Sequence, residues 1–195
     1  MREIVLWWIG AGAAEAELLE GVRRSVGKEF DLPARVHVPL ERPDHAFDAR
    51  RGQHSSSRIL EWLSACRPED VGRVLGLTDA DLFIPILTFV FGEAQLKGRV
   101  AVVSAARLAS APGFPREAAR LAVRLRTEAI HELGHTFGLL HCRNVRCAMA
   151  RSASLRDVDA KGPALCRECR ARYLEISDAI GEPHEQEKHP DPDSR

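Results

Sequence analysis

The sequence predicts an α/β (α+β) fold, a mostly parallel, twisted sheet backed by helices and followed by a small C-terminal lobe. Three observations carry that reading. Apolar runs of strand length alternate with helix-period segments up to Ser104. The loop Ser110-Ala-Pro-Gly-Phe-Pro115 then stops the alternation and opens one long helix. Beyond Gly138 the regular pattern gives out, and four cysteines stand in two pairs, Cys142/Cys147 and Cys166/Cys169. A chain of 195 residues is long enough for one sizeable core. We therefore expect a single domain over 1–181, with an N-terminal lobe (1–138) and a C-terminal lobe (139–181). Residues 182–195 are polar and proline-rich and read as a disordered tail.

Taken in order, Ile4 to Ile9 is a continuous apolar run, as in a strand buried on both faces. Gly10-Ala-Gly12 leads into a helical pattern from Ala13 to Val26, with Leu18, Leu19 and Val22 on one side. A dinucleotide fingerprint would need a third glycine where Glu15 stands, and a carboxylate there would face the pyrophosphate. The glycines thus read as a tight βα turn. Ala34 to Leu40 forms a second strand. His37, His45 and His54 match no metal spacing and read as ordinary surface or strand histidines. Ser55-Ser-Ser57 caps a helix carrying Ile59, Leu60, Trp62 and Leu63, at whose end Cys66 is expected to be a buried or half-buried thiol.

Ala80 to Ile86 is the expected third strand and Arg99 to Ser104 the fourth. Between them Phe89-Val-Phe91 with Gly92 is short, apolar and preceded by Pro85, which suits an edge strand. An ordinary core strand fits those residues equally well. Pro115 opens a helix through Leu121, Leu125 and Ile130, with Arg116, Arg120, Arg124 and Arg126 on its solvated face. Cys166 to Ile180 forms a last helix containing the sole tyrosine, Tyr173.

The chemistry concentrates in residues 131–142, His-Glu-Leu-Gly-His-Thr-Phe-Gly-Leu-Leu-His-Cys. On a helix His131 and His135 stack about one turn apart and can share one metal ion, while Glu132 points at a water beside it. This is the HExxH zinc-hydrolase arrangement. His141 lies six residues past His135, and a continuing helix would carry it roughly 9 Å further along the axis. The helix must therefore break, and Gly138 is the residue there that turns left-handed without steric cost. Three nitrogens leave a fourth position open, which is the catalytic form of a zinc site. The two cysteine pairs, 18 residues apart, have the pattern of a closed, structural four-thiolate zinc site. Two disulfides, or thiols that never meet, are the alternatives.

HExxHxxGxxH is the metzincin signature. With Cys142 directly after His141, then Cys147, Met149, Cys166 and Cys169, the chain resembles the archaemetzincins, whose motif runs HExxHxxGxxHCxxxxCxM and then CxxC. The likeness is dense over 131–169 and looser over Thr88–Ala94 and Val100–Ser104. It implies a metzincin-like fold with an antiparallel edge strand at 88–94 that pairs with an extended substrate. It also implies that Met149 forms an apolar floor under a catalytic zinc. Tyr173 matches no ligand motif of the family and stays a core residue.

The expected function is hydrolysis of peptide bonds in peptide or protein substrates. Two zinc ions take part, one catalytic on His131, His135 and His141 and one structural on Cys142, Cys147, Cys166 and Cys169. Glu132 is the general base toward a zinc-bound water. The alternative is a non-catalytic, zinc-containing peptide-binding or regulatory protein. Lys+Arg and Asp+Glu are both 28, so net charge gives no case for nucleic acid or an anionic membrane. The N-terminal apolar run is too short to span a bilayer and lacks a cleavage site. A cytoplasmic monomer, active as made, is expected.

Overall fold

The computed structural model describes residues 3–13, 15–109 and 115–179. In chain order its elements are β1 (Ile4–Trp8), α1 (Ala16–Phe30), β2 (Ala34–His37), β3 (Phe47–Asp48), β4 (Gln53–Ser55), α2 (Ser56–Cys66), β5 (Arg73–Thr78), β6 (Leu82–Phe83), β7 (Gly92–Ala94), β8 (Val100–Ser104), α3 (Pro115–Phe137), α4 (Leu155–Ala160) and α5 (Arg167–Ala179). The main sheet has the order β2-β1-β5-β8-β7. Its first four strands are parallel, and β7 closes it antiparallel to β8. A second sheet, β3-β4-β6, is small.

Side-chain alternation along β1 builds a core on each face of the main sheet. Ile4, Leu6 and Trp8 join Leu19, Val22, Val26 and Phe30 of α1 and Leu125, Ile130 and Leu133 of α3. Val5, Trp7 and Ile9 meet Ile59, Leu60 and Leu63 of α2 on the other side. The Ser55 hydroxyl accepts from Arg58 N and caps α2, as its sequence suggests.

The third strand is a correction. The central strand is Arg73–Thr78, and Ala80–Ile86 contributes only the two-residue β6 to the small sheet. Arg73 and Gly76 interrupt the apolar run that would have marked β5, and packing explains both. The Arg73 guanidinium lies 3.4 Å from the Phe137 ring centroid and its Nε donates to Thr136 Oγ1 at 3.0 Å. A Cβ on Gly76 would stand 3.1 Å from both Ile9 Cδ1 and Leu63 Cδ1. The stretch around Phe91 and Gly92 is the sheet edge, with the paired residues at Gly92–Ala94. Cys66 is exposed, not half-buried. Arg124 also departs from the expected solvated face. It is buried, donates to both carboxylate oxygens of Asp159, and donates to Leu108 O.

The C-terminal helix α5 is latched to the end of α1. Tyr173, fully buried, donates its hydroxyl to Phe30 O, and its ring packs edge-on against Phe30 and Phe137. Leu165 N donates to Glu29 Oε1 at 3.0 Å and Arg170 donates to Glu29 O. No helix among the described residues is long and apolar enough to cross a membrane. The expected tail, 182–195, lies outside the described residues.

Candidate active site and metal centres

Helix α3 carries two of the three histidines, and its ending delivers the third. It stops at Phe137, and Gly138 takes φ 99°, the left-handed conformation that glycine adopts without a Cβ clash. Gly138 N and Lys97 N both donate to His135 O, at 2.9 and 3.0 Å, and Leu139 N donates to Gly134 O at 3.0 Å. These bonds satisfy carbonyls that the helix end leaves open. The chain then doubles back, and one ligand nitrogen from each of His131, His135 and His141 lies within 4.8 Å of the others.

The hydrogen bonds of the rings define which nitrogens are available. His131 Nδ1 lies 2.7 Å from Ala148 O and His135 Nδ1 lies 2.8 Å from Leu139 O. A carbonyl can only accept, so each Nδ1 carries the proton and each Nε2 presents a lone pair. The two Nε2 atoms face each other at 3.2 Å. Two lone pairs at that distance repel unless a cation lies between them, so the donor set fits a metal ion. Burial lowers the pKa of all three rings, His131 most, with the Lys161 ammonium adding to the effect. The neutral, ligating form is thereby favoured.

Glu132 is buried next to this triad. Burial pushes its carboxyl well above the usual range, nearby Glu128 raises it further, and Lys161 opposes both. Gly92 on β7 makes the space: a Cβ there would stand 2.7 Å from Glu132 Cγ and 2.6 Å from Val102 O. Met149 is fully buried. It packs against Gly134, where a Cβ would come within 2.4 Å of its sulfur. Glu93 anchors the rim by accepting from the Ser56 and Ser57 hydroxyls at 2.5 and 3.1 Å.

These groups line a cleft of about 480 Å³ between the 87–94 segment, α3 and residues 151–153. One turn ahead of the histidines, Glu128 also lines it, ion-paired to Lys161 at 2.8 Å. Sequence reasoning passed over both. Glu128 was within reach, since its spacing of three to His131 and four to Glu132 puts it on the same helical face. Nothing local marks Lys161.

The four cysteines meet as well. The Sγ atoms of Cys142, Cys147, Cys166 and Cys169 lie within 4.8 Å of one another. Cys142 and Cys166 approach to 3.8 Å, far longer than the roughly 2.05 Å of a disulfide, and all four are free. The Cys147 sulfur accepts from Cys166 N at 3.2 Å and that of Cys142 from Asn144 N at 3.4 Å. Burial pushes the Cys147 and Cys169 thiols up, whereas the Cys169 N–H draws Cys166 down. Four convergent sulfurs suit a tetrahedral zinc with no open position.

Known proteins are close to this chain in sequence and shape. A profile described as peptidase family M54 matches residues 16–175. The archaemetzincin of Methanocaldococcus jannaschii is 39% identical over 159 residues, covering 81% of this chain and 86% of the relative. The crystal structure of archaemetzincin from Methanopyrus kandleri superposes with a TM-score of 0.80 at 36% identity, covering 91% of this chain and 96% of that one. Archaemetzincin from Archaeoglobus fulgidus, solved in complex with malonate, gives a TM-score of 0.73 at 32% identity over 88% and 99% of the two chains.

Proposed function

The chain belongs to peptidase family M54 and is a zinc-dependent metallopeptidase, and from that premise we propose that it cleaves peptide bonds at His131, His135, His141 and Glu132. One observation carries the assignment of residues: three imidazoles converge beside a buried carboxylate in an open cleft. The family membership leaves the non-catalytic alternative without support.

Zinc, when bound, supplies the Lewis acidity that polarises a scissile carbonyl and makes water acidic near neutral pH. His131, His135 and His141 hold it through their free ring nitrogens, with the first two rings fixed by Ala148 O and Leu139 O. Glu132 takes a proton from the attacking water and returns it to the leaving amine. Its burial keeps bulk water from competing for that proton. Met149 closes the underside of the site with an apolar surface. The 88–94 segment forms the rim along which an extended peptide adds as a further strand. Cys142, Cys147, Cys166 and Cys169 hold a second, structural zinc that braces the lobe delivering His141.

The test compares wild type and Glu132→Ala, both zinc-loaded, on a mixed peptide library read by mass spectrometry. Glu132→Ala keeps its zinc and loses turnover by at least about 10²-fold, the usual contribution of a positioned base. Cut positions report whether the enzyme works from chain ends or interiors. An active Glu132→Ala overturns the mechanism.

A further inference from the structure

Lys161 caps α4 and is buried, with a side chain only 1% exposed, and its partner Glu128 is 3% exposed. Its ammonium sits 2.8 Å from Glu128 Oε1 and 2.9 Å from Ala150 O. A buried ion pair is weak as a source of stability, because desolvating both charges offsets most of their attraction. An apolar pair of equal volume would fill the space as well. What the ammonium adds is a tie between elements, since it draws a carboxylate oxygen and a backbone carbonyl to 2.8 and 2.9 Å of one nitrogen.

The two oxygens it holds, one by charge and one by a hydrogen bond, belong to the two elements that build the histidine centre. Glu128 is on α3, one turn ahead of His131. Ala150 ends the turn through Met149, and three successive carbonyls of that turn each hold a different part of the site. Ala148 O bonds His131 Nδ1 at 2.7 Å, Met149 O accepts from Cys142 N, next to His141, at 2.9 Å, and Ala150 O accepts from Lys161. A turn tied to α3 by one bond can pivot about it, whereas a second tie two residues further on removes that freedom.

We propose that Lys161 is a positioning residue of the histidine metal centre, clamping α3 to the Met149 turn through Glu128 and Ala150 so that the ligand nitrogens converge before metal arrives. The clamp deepens the metallopeptidase reading above and rests on it. It contributes to how tightly the three histidines hold metal and leaves the four-cysteine centre unaffected.

Cobalt(II) titration of the full-length protein against a competing chelator tests this without turnover. Thiolate-bound cobalt shows charge-transfer absorption that nitrogen-bound cobalt lacks, so the two centres are read separately. In Lys161→Met an unpaired buried carboxylate remains and the fold itself is destabilised. The deciding variant is therefore Glu128→Leu/Lys161→Met, which removes both charges. Its thermal midpoint and four-cysteine affinity should stay near wild type, while the histidine centre loses affinity by about tenfold or more, the usual effect of losing a partner outside the ligand set. Wild-type affinity at the histidines, an equal loss at both centres, or a double variant that does not fold overturns the positioning role. Wild-type protein that takes no cobalt on its histidines refutes the underlying site assignment, and that result is visible before any variant is compared.

Discussion

Replacing Gly134 by alanine should destabilise the protein, although alanine is the better helix former. In a helix interior the exchange ordinarily gains about 1 kcal/mol. At this position the new Cβ would lie 2.4 Å from Met149 Sδ and 3.1 Å from its Cε, inside normal contact. Met149 is fully buried, so its side chain gives way only by displacing its neighbours. Overpacking of this kind costs about 1–3 kcal/mol. The net expectation is a loss of roughly 0–2 kcal/mol, with Met149 displaced. The sign should reverse once the obstacle is gone. In a Met149→Ala background, itself about 2–5 kcal/mol less stable than wild type, Gly134→Ala should stabilise by about 1 kcal/mol. Urea denaturation of the four proteins of this cycle, all saturated with zinc, gives a coupling energy expected near 1–3 kcal/mol. Gly134→Ala that is more stable than wild type, by the same amount in both backgrounds, would refute the claim that Met149 dictates the glycine.

Two further expectations follow from the structure. Cys166→Ser should lower the thermal midpoint and reduce the zinc-dependent part of stability, because one of four convergent sulfurs is lost; an unchanged midpoint in zinc and in chelator would count against a structural metal there. Asp159 accepts from Arg124 Nε and Nη2 at 2.6 and 2.8 Å, and these bonds hold its carboxyl below the usual range. A depressed folded pKa contributes stability above the unfolded pKa and loses it as pH falls through the folded one. Asp159→Asn should therefore lower the midpoint at neutral pH, with the gap to wild type closing in acid; a gap independent of pH would contradict the ion pair.

The two clusters of candidate metal ligands were legible because their spacing is local. His131 and His135 obey the helical repeat, and the left-handed turn at Gly138 was forced by the reach to His141. The four cysteines announced themselves by pairing. What was not legible depends on contacts between distant segments. Strand β5 is marked by neither continuous apolarity nor strict alternation, because Arg73 answers to Thr136 and Phe137 and Gly76 to Ile9 and Leu63. Arg124 looks like a surface residue until α4 brings Asp159 beside it. Lys161 acquires its role from Glu128 and Ala150, neither of which it neighbours in a regular element. Local rules report spacing within a helix and cannot report who will stand opposite it.

The latch between α5 and α1 bears on when the enzyme can come into being. Tyr173 and Phe30 are 143 positions apart, and Glu29 meets Leu165 across 136. During synthesis the sheet strands and α3 leave the ribosome well before Cys166 and Cys169 do, so the N-terminal part can fold first while the four-cysteine cluster is still missing half its sulfurs. Closing so long a loop is slow relative to forming the local βα units that precede it. The helix that carries His131 and His135 is thus complete before the lobe behind His141 has its second pair of sulfurs, so the two metal-ligand clusters are assembled in that order.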